Sequence, residues 1–101
     1  MASSSLAQAL QLAPTDNIAV ALADLPAGTF LEVGGFALQL IDAVKMGHKF
    51  ALRSIGPGER ILKYNCPIGL ATTTILPGQY VHTHNVRSTY LANTQAVAEG
   101  A

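Results

Sequence analysis

Apolar residues recur along this chain in short bursts rather than in long helical stripes. The runs IAVALA (18–23), TFLEV (29–33), FALQLI (36–41), KFALRSI (49–55), RILKY (60–64), GLATTTI (69–75) and QYVHTH (79–84) each read as a strand. KFALRSI and RILKY carry the plainest apolar–polar alternation. Most runs are bounded by Gly or Pro and follow one another too closely for the crossover helices that parallel strands require. The pattern predicts an all-β domain, compact and irregular. Gly34 and Gly35 predict a hairpin between TFLEV and FALQLI, because both can take positive φ.

An internal repeat sharpens this picture. LPAGTFL (25–31), IGPGERI (55–61) and ILPGQYV (75–81) share the form [LI]-x-x-G-x-x-[LIV], each with a proline one or two residues before its glycine. Proline fixes φ and glycine supplies positive φ, so each copy predicts a tight turn whose flanking aliphatic residues face one core. The copies are unequally spaced, which argues against a solenoid of fixed period.

Length and composition bound the function. A chain of 101 residues suits one domain, and no apolar run approaches the roughly 18 residues of a membrane-spanning helix, so no membrane role is expected. Cys66 is the only cysteine, which rules out an intrachain disulfide and fits a reducing compartment such as the cytoplasm. The opening MASSSLAQALQLAP has no Lys or Arg and lacks the apolar centre of a secretory signal. Residues 1–15 are expected to be a flexible tail, and residues 88–101 a second tail or linker.

Net charge is zero but unevenly spread. Residues 1–44 hold Asp16, Asp24, Glu32 and Asp42 with no Lys or Arg, while the remainder carries all six basic residues against Glu59 and Glu99. Such a gradient steers small anions or is simply a solvated surface. Six basic residues without an Arg cluster, and six aromatics, make a poor nucleic-acid surface.

The segments DNIAVALADLPAGTFL (16–31), GHKFALRSIGPGE (47–59), ILKYNCPIG (61–69) and LPGQYVHTHNV (76–86) resemble, in that order, the small SAF domain of the altronate and galactarate dehydratase family. The resemblance covers about residues 16–87. It implies a β-clip, a small barrel-like set of short strands folded over itself. It also implies a free small subunit or N-terminal domain that works with a much larger catalytic lyase subunit or domain. The reaction implied is elimination of water from a sugar acid, a hydro-lyase activity that the small chain does not perform by itself. A related two-subunit lyase, acting on sulfolactate, is an alternative. The wider SAF group also contains binding modules without chemistry. A divalent metal, iron or manganese, is implied as cofactor.

Elimination beside a carboxylate needs a metal or a positive group to hold the developing enolate charge. His48, Lys49, His82 and His84 are the candidates. Imidazole suits a metal or proton transfer, and lysine suits a carboxylate. In a strand, His82 and His84 would share one face, and with His48 they would make a three-ligand metal site. The plain alternatives are exposed strand residues for the pair and a turn hydrogen bond for His48. His48 and Lys49 are taken as catalytic candidates, and Lys49, Lys63 and Arg87 as substrate contacts, Arg87 being equally a surface charge. Tyr64 and Cys66 read as packed residues, and Asn85 as a residue that fixes a strand end. An edge-rich β domain of this composition would also gain from pairing with another copy of itself.

Overall fold

Four turns of one kind set the architecture of the computed structural model, which describes residues 7–88. In each turn a glycine at φ between 81° and 91° occupies the third position, and the next residue's N–H donates back to the carbonyl three residues earlier. Thr29, His48, Glu59 and Gln79 make those bonds, at 3.0–3.2 Å. Proline precedes the glycine directly in two copies, as type II turns favour. Three of these turns are the ones the repeat predicts. The fourth, VKMGHKF (44–50), has the same geometry but lacks proline and ends on Phe50.

The strands are β1 (Ala9–Leu10), β2 (Ile18–Ala21), β3 (Phe30–Val33), β4 (Phe36–Gln39), β5 (Lys49–Ala51), β6 (Arg60–Lys63), β7 (Cys66–Ala71), β8 (Tyr80–Val81) and β9 (Val86–Arg87). A central antiparallel sheet has the order β1-β2-β5-β8, flanked by the hairpin β3-β4 and by the three-stranded sheet β6-β7-β9. The fold is all-β, as the apolar pattern predicts, and its sheets do not close into a barrel.

β2 packs on both faces, which explains why IAVA (18–21) is continuously apolar rather than alternating, while Leu22 and Ala23 beyond it are exposed. Ala19, Ala21, Phe50 and Leu52 point into one cluster with Leu31, Val33 and Leu38 from the β3-β4 hairpin. Their alternates Ile18, Ala51 and Val81 point into a second cluster with Ile61 and Ala71 from β6-β7. Phe50, Ile55, Ile61 and Ile75 are fully buried, and each such side chain contributes roughly 1.5–3 kcal/mol of transfer free energy.

The chain repeats its own plan. The Gly28 N–H donates to Leu40 and the Gly58 N–H to Ala71; likewise Gly47 donates to Ala21 and Gly78 to Ala51. Leu25 bridges Val44 in the first half, and Ile55 bridges Ile75 in the second. Thus β2 to β5 and β5 to β8 are two copies of one motif sharing β5.

The expected tail at residues 1–15 is corrected over its second part. Ala9 and Leu10 pair with Ala21 and Val20, the Leu22 N–H donates to Gln8, and Ala9 is buried. Two residues are too short to show a period, so the pattern could not reveal this strand. Residues 1–6 and 89–101 lie outside the described residues. Among the described residues no helix is long and apolar enough to cross a membrane.

Candidate functional site

The three histidines gather around one aromatic ring, that of Tyr80. His48 directly follows Gly47 of the VKMGHKF turn, and Tyr80 lies two residues beyond Gly78 of the ILPGQYV turn. The β5–β8 pairing sets Phe50 opposite Tyr80 and so brings the two turns side by side. The His48 Nδ1 is 2.6 Å from the Tyr80 hydroxyl. The His82 ring stacks on Tyr80 with centroids 5.3 Å apart and planes 13° from parallel, and the His84 ring lies tilted against it at 5.7 Å. The His48 and His82 centroids are 5.9 Å apart. These separations fall within the range of attractive ring contacts.

The pair meets Tyr80 for a different reason from the expected one. β8 ends at Val81, and residues 82–85 form a turn rather than a continued strand. Asn85 builds that turn. Its N–H donates to the His82 carbonyl, its Oδ1 accepts from the His82 N–H, and its Nδ2 donates to the Tyr80 carbonyl at 2.8 Å. Asn85 is buried, and these bonds satisfy its amide. The alternation argument for His82 and His84 therefore fails, while their proximity holds through the ring of Tyr80.

Lys49 occupies the other face of the sheet. It lines a cleft of about 230 Å³ with Ile68, Val81, His82, Thr83, Val86 and Ser88. His82 thus belongs to both the ring cluster and the cleft, wrapping the β8 edge between them. Burial holds the Lys49 ammonium below its ordinary pKa, and the nearby Lys63 charge pushes the same way. An anion entering the cleft would relieve both effects. Arg87 is exposed on β9 between two cleft-lining residues, Val86 and Ser88, and does not itself line the cleft.

No group of three or more His, Cys, Asp or Glu side chains among the described residues is arranged to hold a metal ion. The histidines interleave with Tyr80 instead of converging on one point, so this chain alone does not fit the expected three-ligand site. Two other expectations are corrected. Tyr64 is 70% exposed at φ 59° in a hairpin turn, and Cys66 is exposed at the start of β7. Both side chains face out from the β6-β7 tip, so neither packs.

Sequence reasoning missed Tyr80 as the hub. The available signal was its place two residues before His82 in a repeat copy, where the apolar reading absorbed it as a core position.

The sequence pattern of the altronate/galactarate dehydratase SAF domain matches residues 7–89. The chain is 44% identical over 81 residues to an altronate dehydratase of Escherichia coli, covering 80% of this chain and 16% of that protein. With the Bacillus subtilis altronate dehydratase it shares 40% over 73 residues, 72% of this chain and 15% of the relative. A (2R)-sulfolactate sulfo-lyase subunit alpha of Chromohalobacter salexigens is 40% identical over 47 residues, 46% of this chain and 50% of that subunit. The chain thus matches only a small part of the length of the altronate dehydratases. The matched stretch contains every strand among the described residues, the four glycine turns and the Tyr80 cluster, and the chain belongs to the altronate/galactarate dehydratase SAF domain family.

Proposed function

We propose that this chain is the SAF module of a lyase acting on α-hydroxy sugar acids, lending His48, Lys49 and His82 to an active site completed by a large catalytic subunit or domain. The observation that supports this reading best is the Tyr80 ring cluster bordering the Lys49 cleft, in a chain whose relatives are lyases. A partially desolvated ammonium at an apolar-floored cleft suits a substrate carboxylate. As the α-proton leaves, charge grows on that carboxylate, and Lys49 with a neighbouring imidazole N–H would stabilise it. Lys63 adds positive potential at the same cleft, and Arg87 would meet substrate or partner from the rim.

The cleft is too small and open to enclose a sugar acid by itself. The partner supplies the remaining walls and the base that removes the proton. Iron or manganese, if the complete enzyme uses one, would draw most of its ligands from the partner, since the described residues form no three-ligand group. Such metabolite chemistry, in a chain with a lone cysteine, belongs in the cytoplasm. The test is turnover of altronate and galactarate by the purified chain with and without the large lyase subunit. Dehydration is expected only from the pair, and robust turnover by the chain alone overturns the reading.

A second reading is the small subunit of a sulfolactate sulfo-lyase, favoured by the match to half of a subunit of that size class. Release of sulfite rather than water from the assembled enzyme separates the two.

A further inference from the structure

We infer that Tyr80 is a positioning residue for His48: its hydroxyl donates to Nδ1 and holds the ring as the neutral tautomer protonated on Nε2. His48 then meets substrate as a hydrogen-bond donor and not as a metal ligand. The role assigned to that donor rests on the lyase reading, whereas the tautomer does not.

Tyr80 is held more firmly than a surface tyrosine needs to be. The Asp42 carboxylate accepts its backbone N–H at 2.9 Å, and the buried Asn85 amide donates to its carbonyl at 2.8 Å. Its ring packs on the first core cluster and carries His82 stacked against it. The hydroxyl is thereby fixed 2.6 Å from Nδ1, a short hydrogen bond. Its one hydrogen-bond partner among the described residues is that nitrogen. A phenol has one proton to give and is a poor acceptor beside imidazole nitrogen, so the O–H donates and Nδ1 supplies the lone pair. The ring proton then resides on Nε2.

This assignment runs against a metal-binding His48. A ligating imidazole gives its lone pair to the metal and donates its other N–H to a neighbour. Here Nδ1 accepts, and Nε2 carries the proton. The same state suits a neutral donor to a developing oxyanion.

The test is long-range proton–nitrogen NMR of the ¹⁵N-labelled full chain in mildly alkaline buffer. His48 is expected as one neutral tautomer, with Nδ1 unprotonated and Nε2 protonated. Tyr80→Phe keeps the ring and removes the hydroxyl; His48 should then shift to the averaged signals of a free imidazole, with His82 and His84 little changed. A protonated Nδ1 in the wild type, a two-tautomer average there, or an unchanged His48 in Tyr80→Phe overturns the inference. If Tyr80→Phe does not fold, the wild-type spectrum decides alone. In an active assembled lyase, Tyr80→Phe should lower kcat, by no more than the roughly 100- to 1,000-fold that outright loss of an oxyanion donor costs, with KM nearly unchanged. A wild-type assembly without lyase activity that still shows the single tautomer removes the functional reading and supports the positioning one.

Discussion

The two hairpins occupy equivalent places in the repeat yet close with different chemistry. β3-β4 turns through Gly34 and Gly35, at φ 58° and 86°, whereas β6-β7 turns through Tyr64 and Asn65, at φ 59° and 60°. The backbone does the same thing in both. Glycine reaches that region without penalty, but a side chain there costs about 1–2 kcal/mol. Asp16 offsets the cost in the second hairpin. Its buried carboxylate accepts the N–H groups of Tyr64 and Asn65, both at 2.7 Å, and that of Ala13 at 3.0 Å. The first hairpin is self-sufficient; the second depends on a brace from a distant segment. Gln11, from that segment, packs against Gly34 and donates to the Asp16 carbonyl, so one stretch of chain touches both tips.

The sharpest break in the equivalence lies at the repeat glycines. Gly47 and Gly78 share φ 87°, but a Cβ on Gly47 meets open space while one on Gly78 would collide with the Gln39 carbonyl. Gly78→Ala is expected to cost about 3 kcal/mol or more, strain and overpacking together, against about 1 kcal/mol for Gly47→Ala, in chemical denaturation. Next in size is Asp16→Ala, which strips three backbone donors of their acceptor and should cost about 2–3 kcal/mol. Hydrogen exchange should show the loss concentrated at the 64–65 turn, leaving 34–35 protected. Equal loss at both tips would mean that the brace is not selective.

A smaller effect is expected from Tyr64→Gly, which makes the second turn resemble the first. Relief of strain and the added unfolded-state freedom nearly cancel, so stability should stay within about 0.5 kcal/mol of wild type. The smallest is a pH effect at Lys49. Its folded pKa lies below the unfolded one, so the unfolded state binds more protons between the two values, and stability rises with pH across that window. Lys49→Met should therefore flatten the alkaline limb of the stability curve and stabilise the chain at neutral pH.

What the sequence displayed tracks where physics leaves a local mark. All seven predicted runs hold strands, but KFALRSI is strand only over Lys49–Ala51, GLATTTI only over residues 69–71 of β7, and the last, QYVHTH, keeps only Tyr80–Val81. Its remainder turns because Asn85 bonds both Tyr80 and His82, a contact no periodicity records. β1 and β9 span two residues each and leave no pattern. The fourth glycine turn escaped because Met46 stands where proline would have flagged it. In the site, the histidines were legible as chemistry, but Tyr80 was not. Its repeat position belongs to the apolar set, and only the β5–β8 register turns its hydroxyl toward His48.

The strand order β1-β2-β5-β8 also sets the tempo of assembly. Both hairpins are local and can close within microseconds, but β2 must wait for β5, and β5 for β8, each across an entire hairpin of intervening chain. Refolding should accordingly run on the millisecond-to-second scale of domains dominated by distant pairings. Substitutions at the Gly34–Gly35 tip should scarcely alter that rate in stopped-flow experiments, whereas trimming Phe50 on the shared strand should slow it markedly.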